Sequence, residues 1–334
     1  MFSLFKSIFG AEKTGPYPES LIEAAIQRVI DGTDSRLRTL PGYRRALRDP
    51  VIQAIDAVVA LVDRLPPPVA ANRDDYSTDV RLSSLFASAG RMLDVFAGDD
   101  ALREFRDSPA SASGRAVALL TAQRIEKQVR GMQLEGDMVR RDVAQVAVSF
   151  SDHYLLAPAP SDAQAYRQIK RRAFDHLLSL GLSRIDAAES ERADLSAQCA
   201  LLRRKLKALQ LGSLDFDASR PAGHQATALQ AELDETESRL VAIGADERTL
   251  HAHLDIVVEV LADADRQLWL DDVELHLDGM NIRREPQHDS ARRICLPELH
   301  NARGRRLVAL PVSIALDELP PRDDFFTAAQ RYLG

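Results

Sequence analysis

The chain has 334 residues, 45% hydrophobic and 28% charged, a composition that folds rather than stays disordered. Its 43 basic and 50 acidic residues give a net charge of −7, so no global positive field draws it to nucleic acid or anionic lipid. Two cysteines, Cys199 and Cys295, cannot build a disulfide framework or a four-thiolate zinc site, and no apolar run is long enough to span a membrane as a helix.

Residues 1–16 open with Phe2, Leu4, Phe5, Ile8 and Phe9 at near-helical spacing and only Lys6 charged, then break at a Gly and a Pro. The apolar stretch is too short for a secretory signal. Its face is a candidate for membrane or partner contact, with folding back onto the protein as the equal alternative. A single lysine gives little attraction to anionic lipid, so membrane contact there would be weak.

From Pro18 the apolar residues Ile22, Ala25, Ile26, Val29 and Ile30 recur at helical spacing, with Gly32 as a stop. Further helices are expected at 42–65, 78–97, 99–107 and 114–136, separated by Pro66 to Pro68 and by the cap residues Asp99 and Asp100. Residues 17–137 therefore read as one all-helical domain. Near 143 the period changes to two: Val146, Val148 and Phe150 alternate with polar or small residues. A tight turn at Ser151 and Asp152 and a second strand through Leu156 follow, ended by Pro158 and Pro160.

From Phe174 an apolar seam runs through Leu178, Gly181, Ile185, Ala188, Arg192, Leu195, Cys199, Leu202 and Leu206 to Leu209, in steps of four and three. After the break at 210–223 it resumes at Ala226 and runs through Leu229, Leu233, Thr236, Leu240, Ile243, Glu247, Leu250, Leu254, Val257, Leu261 and Ala264 to Leu268. Two such helices imply an antiparallel coiled-coil hairpin with a left-handed supercoil. Charge supports the pairing: residues 162–211 carry ten basic and six acidic side chains, residues 224–268 three basic and ten acidic. Setting Leu209 against Ala226 places Arg203 to Lys205 beside Glu232, and Lys170 to Arg172 beside Asp263 and Asp265. Such exposed pairs set register, while the leucine seam supplies most of the stability. Gly181, Arg192 and Glu247 are the weak seam positions, where a second molecule could face the hairpin.

Beyond Trp269 the period is two again. Val273, Leu275 and Leu277 lead to a turn at Asp278 and Gly279, and residues 292–299 and 305–316 form a second hairpin around Asn301 and Gly304. Pro297 and Pro311 suggest edge strands or bulges. The expected fold is α+β, mostly α: residues 138–160 and 269–334 form a small antiparallel sheet, interrupted by the coiled-coil hairpin at 161–268.

Candidate chemistry is sparse. His251, His253 and Asp255 lie within a heptad helix, where positions two apart face different directions, so the two imidazoles do not close on one metal ion. Asp152 and His153 read as a turn aspartate beside a surface histidine. Cys199 and Cys295 read as small core residues. Phosphate-loop, dinucleotide, zinc-protease and nucleophile-elbow motifs are missing. No catalytic, cofactor or metal residue is assigned. Arg303, Arg305 and Arg306 form a candidate anion contact at a hairpin tip, without the aromatic neighbours that single-stranded nucleic acid favours.

These features read as a non-enzymatic cytoplasmic scaffold or tether, peripheral at a membrane if the N-terminal face engages one, with a hairpin spacer between two protein-binding heads. The alternatives are an enzyme with an unrecognised site in the helical or β unit, and a peripheral membrane or nucleic-acid adaptor. A protein partner is expected, nucleic acid is disfavoured, and the chain is a monomer or a homodimer.

Overall fold

The computed structural model describes residues 17–135, 138–212, 222–243 and 246–321. It is mostly α with one β-sheet. In chain order the helices are α1 (Glu19–Gly32), α2 (Tyr43–Asp63), α3 (Arg73–Tyr76), α4 (Val80–Leu85), α5 (Ala89–Gly98), α6 (Asp100–Asp107), α7 (Asp162–Gly212), α8 (Ala222–Ile243), α9 (Asp246–Ala262) and α10 (Ala264–Gln267). The strands are β1 (Val69–Ala70), β2 (Arg115–Glu135), β3 (Met138–Ala159), β4 (Leu268–Leu277), β5 (Arg292–Asn301) and β6 (Arg306–Ala315). Contacts divide the chain into two discontinuous units. One holds residues 56–173 and those from 265 onward; the other holds 15–55 and 174–264.

The first unit is built on a sheet of order β3-β2-β6-β5-β4, with β1 pairing parallel to β6. Strands from before and after the long helices thus share one sheet, as the order of the sequence pieces suggests. Its two ends are also linked. Residues Asn281 to Arg284 bond β3 on one side, with Asn281 accepting from Val148 N and Arg283 N donating to Val146, and β4 on the other, where Arg284 N donates to His276. One face packs Ala116, Ala118, Leu120, Leu275, Ile294, Leu296, Leu310 and Val312 against Phe86, Met92, Leu93 and Phe96 of the α4–α5 region. On the opposite face Val117 and Ala159 pack against Ala165 at the start of α7. Local capping starts the short helices: Asn72, Asp79, Ser88 and Asp99 each accept a backbone N–H from the following turn. Asp99, an expected cap, also accepts from Leu155 N of β3, tying α6 to the sheet.

Three strand assignments from the sequence are corrected. Residues 114–136, read as the last helix of an all-helical domain 17–137, form β2. Alanine, leucine, glutamate and lysine give this stretch helical propensity, but β2 is paired on both edges up to Ala122 and buried on both faces from Ala116 to Ala122, so no period of two is visible. The expected turn at Ser151 and Asp152 is instead a bulge inside one continuous strand, β3. Asp142, Asp152 and Ala157, all at positive φ, sit at the three places where β3 carries one residue more than β2. Pro297 and Pro311, expected at edge strands or bulges, lie in the interior strands β5 and β6. Ser313 accepts from Ala71 on the β1 side, so by alternation Pro311 turns its nitrogen to that side too, between the stretches paired with β5 and with β1.

The second unit holds α1, the first part of α2, and the hairpin. Leu21, Ile22, Ala25, Ile26, Val29 and Ile30 of α1 are buried, as are Phe174, Leu178 and Ile185 of α7 and Leu254, Val257 and Leu261 of α9. At Gly32 α1 approaches α7 closely: a Cβ there would stand 2.9 Å from Leu178 Cδ1 and would displace the end of that side chain. Arg28 forks onto both carboxylate oxygens of Asp175 at 2.5 Å. Further along the hairpin Cys199, Leu202 and Leu206 pack with Leu233, flanked by Leu229 and Leu240, which places Cys199 in the seam as expected.

The arms run antiparallel within one molecule, with differences in register. Arg203 meets Glu237 at 2.7 Å rather than Glu232, which instead faces Gln198, and Arg184 meets Glu259. Lys170 pairs with Asp63 of α2, not with Asp263 or Asp265. Two weak seam positions are filled internally: Arg192 donates to the buried Thr249, and Gly181 lies beside Thr33 and Val257. The second arm is described over α8 and α9; residues 244–245 between them lie outside the described residues.

Candidate functional site

The most elaborated feature of the sheet unit is a two-stranded ribbon. β2 pairs with β6 only from Arg115 to Ala122, whereas its pairing with β3 continues to Glu135 and Met138. From Gln123 outward β2 therefore loses its partner on the β6 side, while β3 is still bonded on its other side by Asn281 and Arg283 as far as Val146. Among the described residues no strand pairs with the other edge of β2 along this stretch. Val129 and Met132 are exposed there, at 36% and 66%.

A charged cluster anchors the ribbon where it leaves the sheet. Arg124 donates to Glu298 of β5, whose side chain is only 2% exposed, and also meets Glu126, which in turn accepts from Arg283 at 2.8 Å. The carboxylate of Glu298 raises the pKa of Arg124, so the guanidinium stays charged despite partial burial. Next to Glu298 on β5, His300 stacks on Trp269 with ring centroids 5.4 Å apart, and Trp269 Nε1 donates to Asp271. His300 Nε2 stands 3.7 Å from Glu298 and 3.6 Å from Asp271.

Arg303, Arg305 and Arg306 are exposed at the β5–β6 turn, as the sequence places them. The buried Asn301 side chain builds this turn by accepting from the N–H groups of Arg303 and Arg305, and Gly304 takes a φ of +75° that its lack of a Cβ permits. The turn holds three cations in one place, an arrangement able to meet a phosphate or carboxylate. Phe2, Leu4, Phe5, Ile8 and Phe9 lie outside the described residues.

In the helical unit, His253 donates from Nδ1 to Asp34 at 2.9 Å, and both are buried. Asp34 caps the 3-10 turn Ser35–Thr39 and binds Arg36 through backbone and side chain; Arg36 also reaches Glu189. Burial pulls Asp34 upward, but the hydrogen bonds from Arg36 and His253 outweigh it and hold its carboxyl at about 2. His251 is exposed, so the two histidines of the H-x-H-x-D run face apart. Among the described residues no group of three or more His, Cys, Asp or Glu side chains could hold a metal ion.

His153 is corrected from a surface residue to a packed one: it stacks on Phe86 at 4.5 Å and bonds the carbonyl of Leu85. Burial lowers its pKa, and the Leu85 carbonyl opposes that shift. Cys295 is corrected from core to exposed. On β5 it faces away from the buried Ile294 and Leu296 and lines a shallow hollow of about 340 Å³ with Thr78, Asp79, Val80 and Arg81. Asp79 and Arg81 serve each other there through the cap of α4.

Comparison with protein-family models, curated proteins and solved structures returns no match. Among the described residues no helix is long and apolar enough to cross a membrane.

Proposed function

We propose that the protein is a scaffold or tether with two protein-binding heads, the ribbon of β2 and β3 belonging to one of them, and with the helical hairpin as the spacer. The observation that carries this reading is the ribbon: thirteen residues of β2, Gln123–Glu135, run beyond the last residue paired with β6. An extended strand with an open edge is a surface on which another chain can add a strand. The hairpin supports the same reading, because α7 has 51 residues, a rise of about 75 Å, far more than a helix needs to close a core. Its exposed faces carry Leu182, Leu201 and Val241 at 38%, 50% and 65% exposure.

The test removes the same whole number of heptads from both arms, which keeps the seam in register and shortens only the spacer. Partners captured by the full chain should still bind one at a time, while recovery of two partners on the same molecule is lost. Undiminished joint recovery with the shortened hairpin contradicts the spacer role.

A second reading rests on Arg303, Arg305 and Arg306. Their exposed cluster would make the β5–β6 turn a contact for an anionic group. Replacing all three with serine should then weaken retention on a phosphate-bearing matrix and flatten its salt dependence.

A further inference from the structure

The open edge of β2 has a backbone phase and a charge pattern that together select one partner. Ala116, Ala118, Leu120 and Ala122 stand opposite Ile314, Val312, Leu310 and Val308 of β6. Ser313 gives its carbonyl to Ala71 on the far side of β6, so the even-numbered residues of β6 turn their N–H and C=O groups toward β2, and the even-numbered residues of β2 answer them. The extra residue at each of the three irregularities lies on β3, so the alternation along β2 continues unbroken. Arg124, Glu126, Gln128 and Arg130 consequently point their backbone groups at the edge where β6 has stopped.

We propose that this edge pairs antiparallel with the same edge of a second copy of the chain, about a two-fold axis at Gln128, so that the β2–β3 pairs of two copies join into one continuous sheet. Two-fold symmetry requires even residues to meet even residues, which leaves few registers. An axis at Lys127 sets that lysine against itself and Arg124 against Arg130. An axis at Glu126 sets two glutamates face to face. An axis at Val129 leaves Glu126 and Arg130 opposite uncharged residues. Only the axis at Gln128 sets Glu126 of each copy opposite Arg130 of the other, twice, with Lys127 opposite Val129. Opposite charges directly across an antiparallel pair stabilise it and like charges oppose it, so the pattern favours this register and discriminates against the others. Glu126, which already accepts from Arg124 and Arg283, keeps 32% of its side chain exposed, and Arg130 is exposed, so the two can meet across the edge. The exposed Val129 lies within the contact. This inference names a second copy as the chain that occupies the open edge invoked for the tethering role, and its test reads self-association alone, so either can fail without the other.

Sedimentation equilibrium on the full chain is the test. The wild-type chain should dimerise reversibly with concentration. Arg130→Glu should weaken the dimer about tenfold or more, because both symmetric pairs become like-charged. Glu126→Lys alone should weaken it as well, and mixing the two variants should restore a heterodimer, since each then offers what the other lacks. Gln128→Pro removes an N–H that faces the open edge rather than β3; it should yield a monomer whose melting temperature matches that of the dissociated wild type. If Gln128→Pro disturbs the fold, the charge pair decides. A wild-type chain that stays monomeric at every concentration overturns the proposal, and so does a dimer that neither charge variant weakens.

Discussion

His253 and Asp34 stand 219 positions apart in the chain, yet His253 Nδ1 donates to a carboxylate oxygen of Asp34 at 2.9 Å with both residues buried. The bond joins α9 to the turn after α1 and requires the imidazole proton on Nδ1. Replacing His253 with alanine leaves one side of a buried carboxylate without its partner. The expected cost is about 1–3 kcal/mol, read as a lower urea midpoint with an unchanged slope.

The same carboxylate gives the unit an acid limit. Asp34 titrates near 3.8 when unfolded and at about 2 when folded, so it stabilises the native state above the unfolded value. That contribution, on the order of 1–2 kcal/mol, is lost as pH falls from about 4 through about 2. Asp34→Asn should remove this part of the pH dependence while lowering stability at neutral pH, as urea titrations repeated across that interval would register.

Arg124 and Glu298 give a sharper contrast in the sheet unit. Glu298 is nearly inaccessible, so Arg124→Ala strands its charge, and the expected loss is about 3–5 kcal/mol. Replacing both, as Arg124→Met with Glu298→Leu, should recover most of that stability. Thermal denaturation of the two single variants and the double variant completes the comparison, and strict additivity would contradict the pairing.

Packing sets the scale elsewhere. Leu310 is fully buried in the central strand β6, so Leu310→Ala should cost about 2–5 kcal/mol. Leu201 on the hairpin is half exposed, and Leu201→Ala should change stability by less than about 0.5 kcal/mol. Gly32→Val, which drives side-chain atoms into Leu178, should cost about 1–3 kcal/mol.

Thiol reactivity distinguishes the two cysteines. Cys295 is exposed and Cys199 is buried in the hairpin seam. A disulfide reagent should modify one thiol promptly under native conditions and the second only as the hairpin opens, with the fast site mapping to Cys295.

Elements buried on one side show it in their period, whereas β6, buried on both faces from Val308 to Val312, was legible only through the turn at Asn301 and Gly304 before it. The leucine seam of α7 and of α8 with α9 shows because each helix buries a stripe and solvates the rest, and β4 and β5 show for the corresponding reason in a sheet. β2 is hidden because Ala116 to Ala122 are buried on both faces, which erases alternation and leaves only helical propensity. The length of β3 is hidden because bulges at Asp142, Asp152 and Ala157 break its period. The turn arginines could be placed from Asn301 and Gly304 alone, since that turn is local. The contacts of Asp34 with His253 and of Arg124 with Glu298 carry no local signal, because each joins elements distant in sequence. Register in the hairpin was approximate for a related reason: long side chains such as Arg203 reach a full turn along the partner helix.

The two arms of the hairpin zip onto each other within one molecule. The most direct measurement is the distance between spin labels at Gln198 and Glu232, introduced as cysteines in a background lacking the native thiols. A short distance, set by helix axes about 8–10 Å apart, should persist when labelled protein is diluted into an excess of unlabelled protein. A long distance, or a short one that disappears on dilution, would mean that the arms separate or pair between molecules.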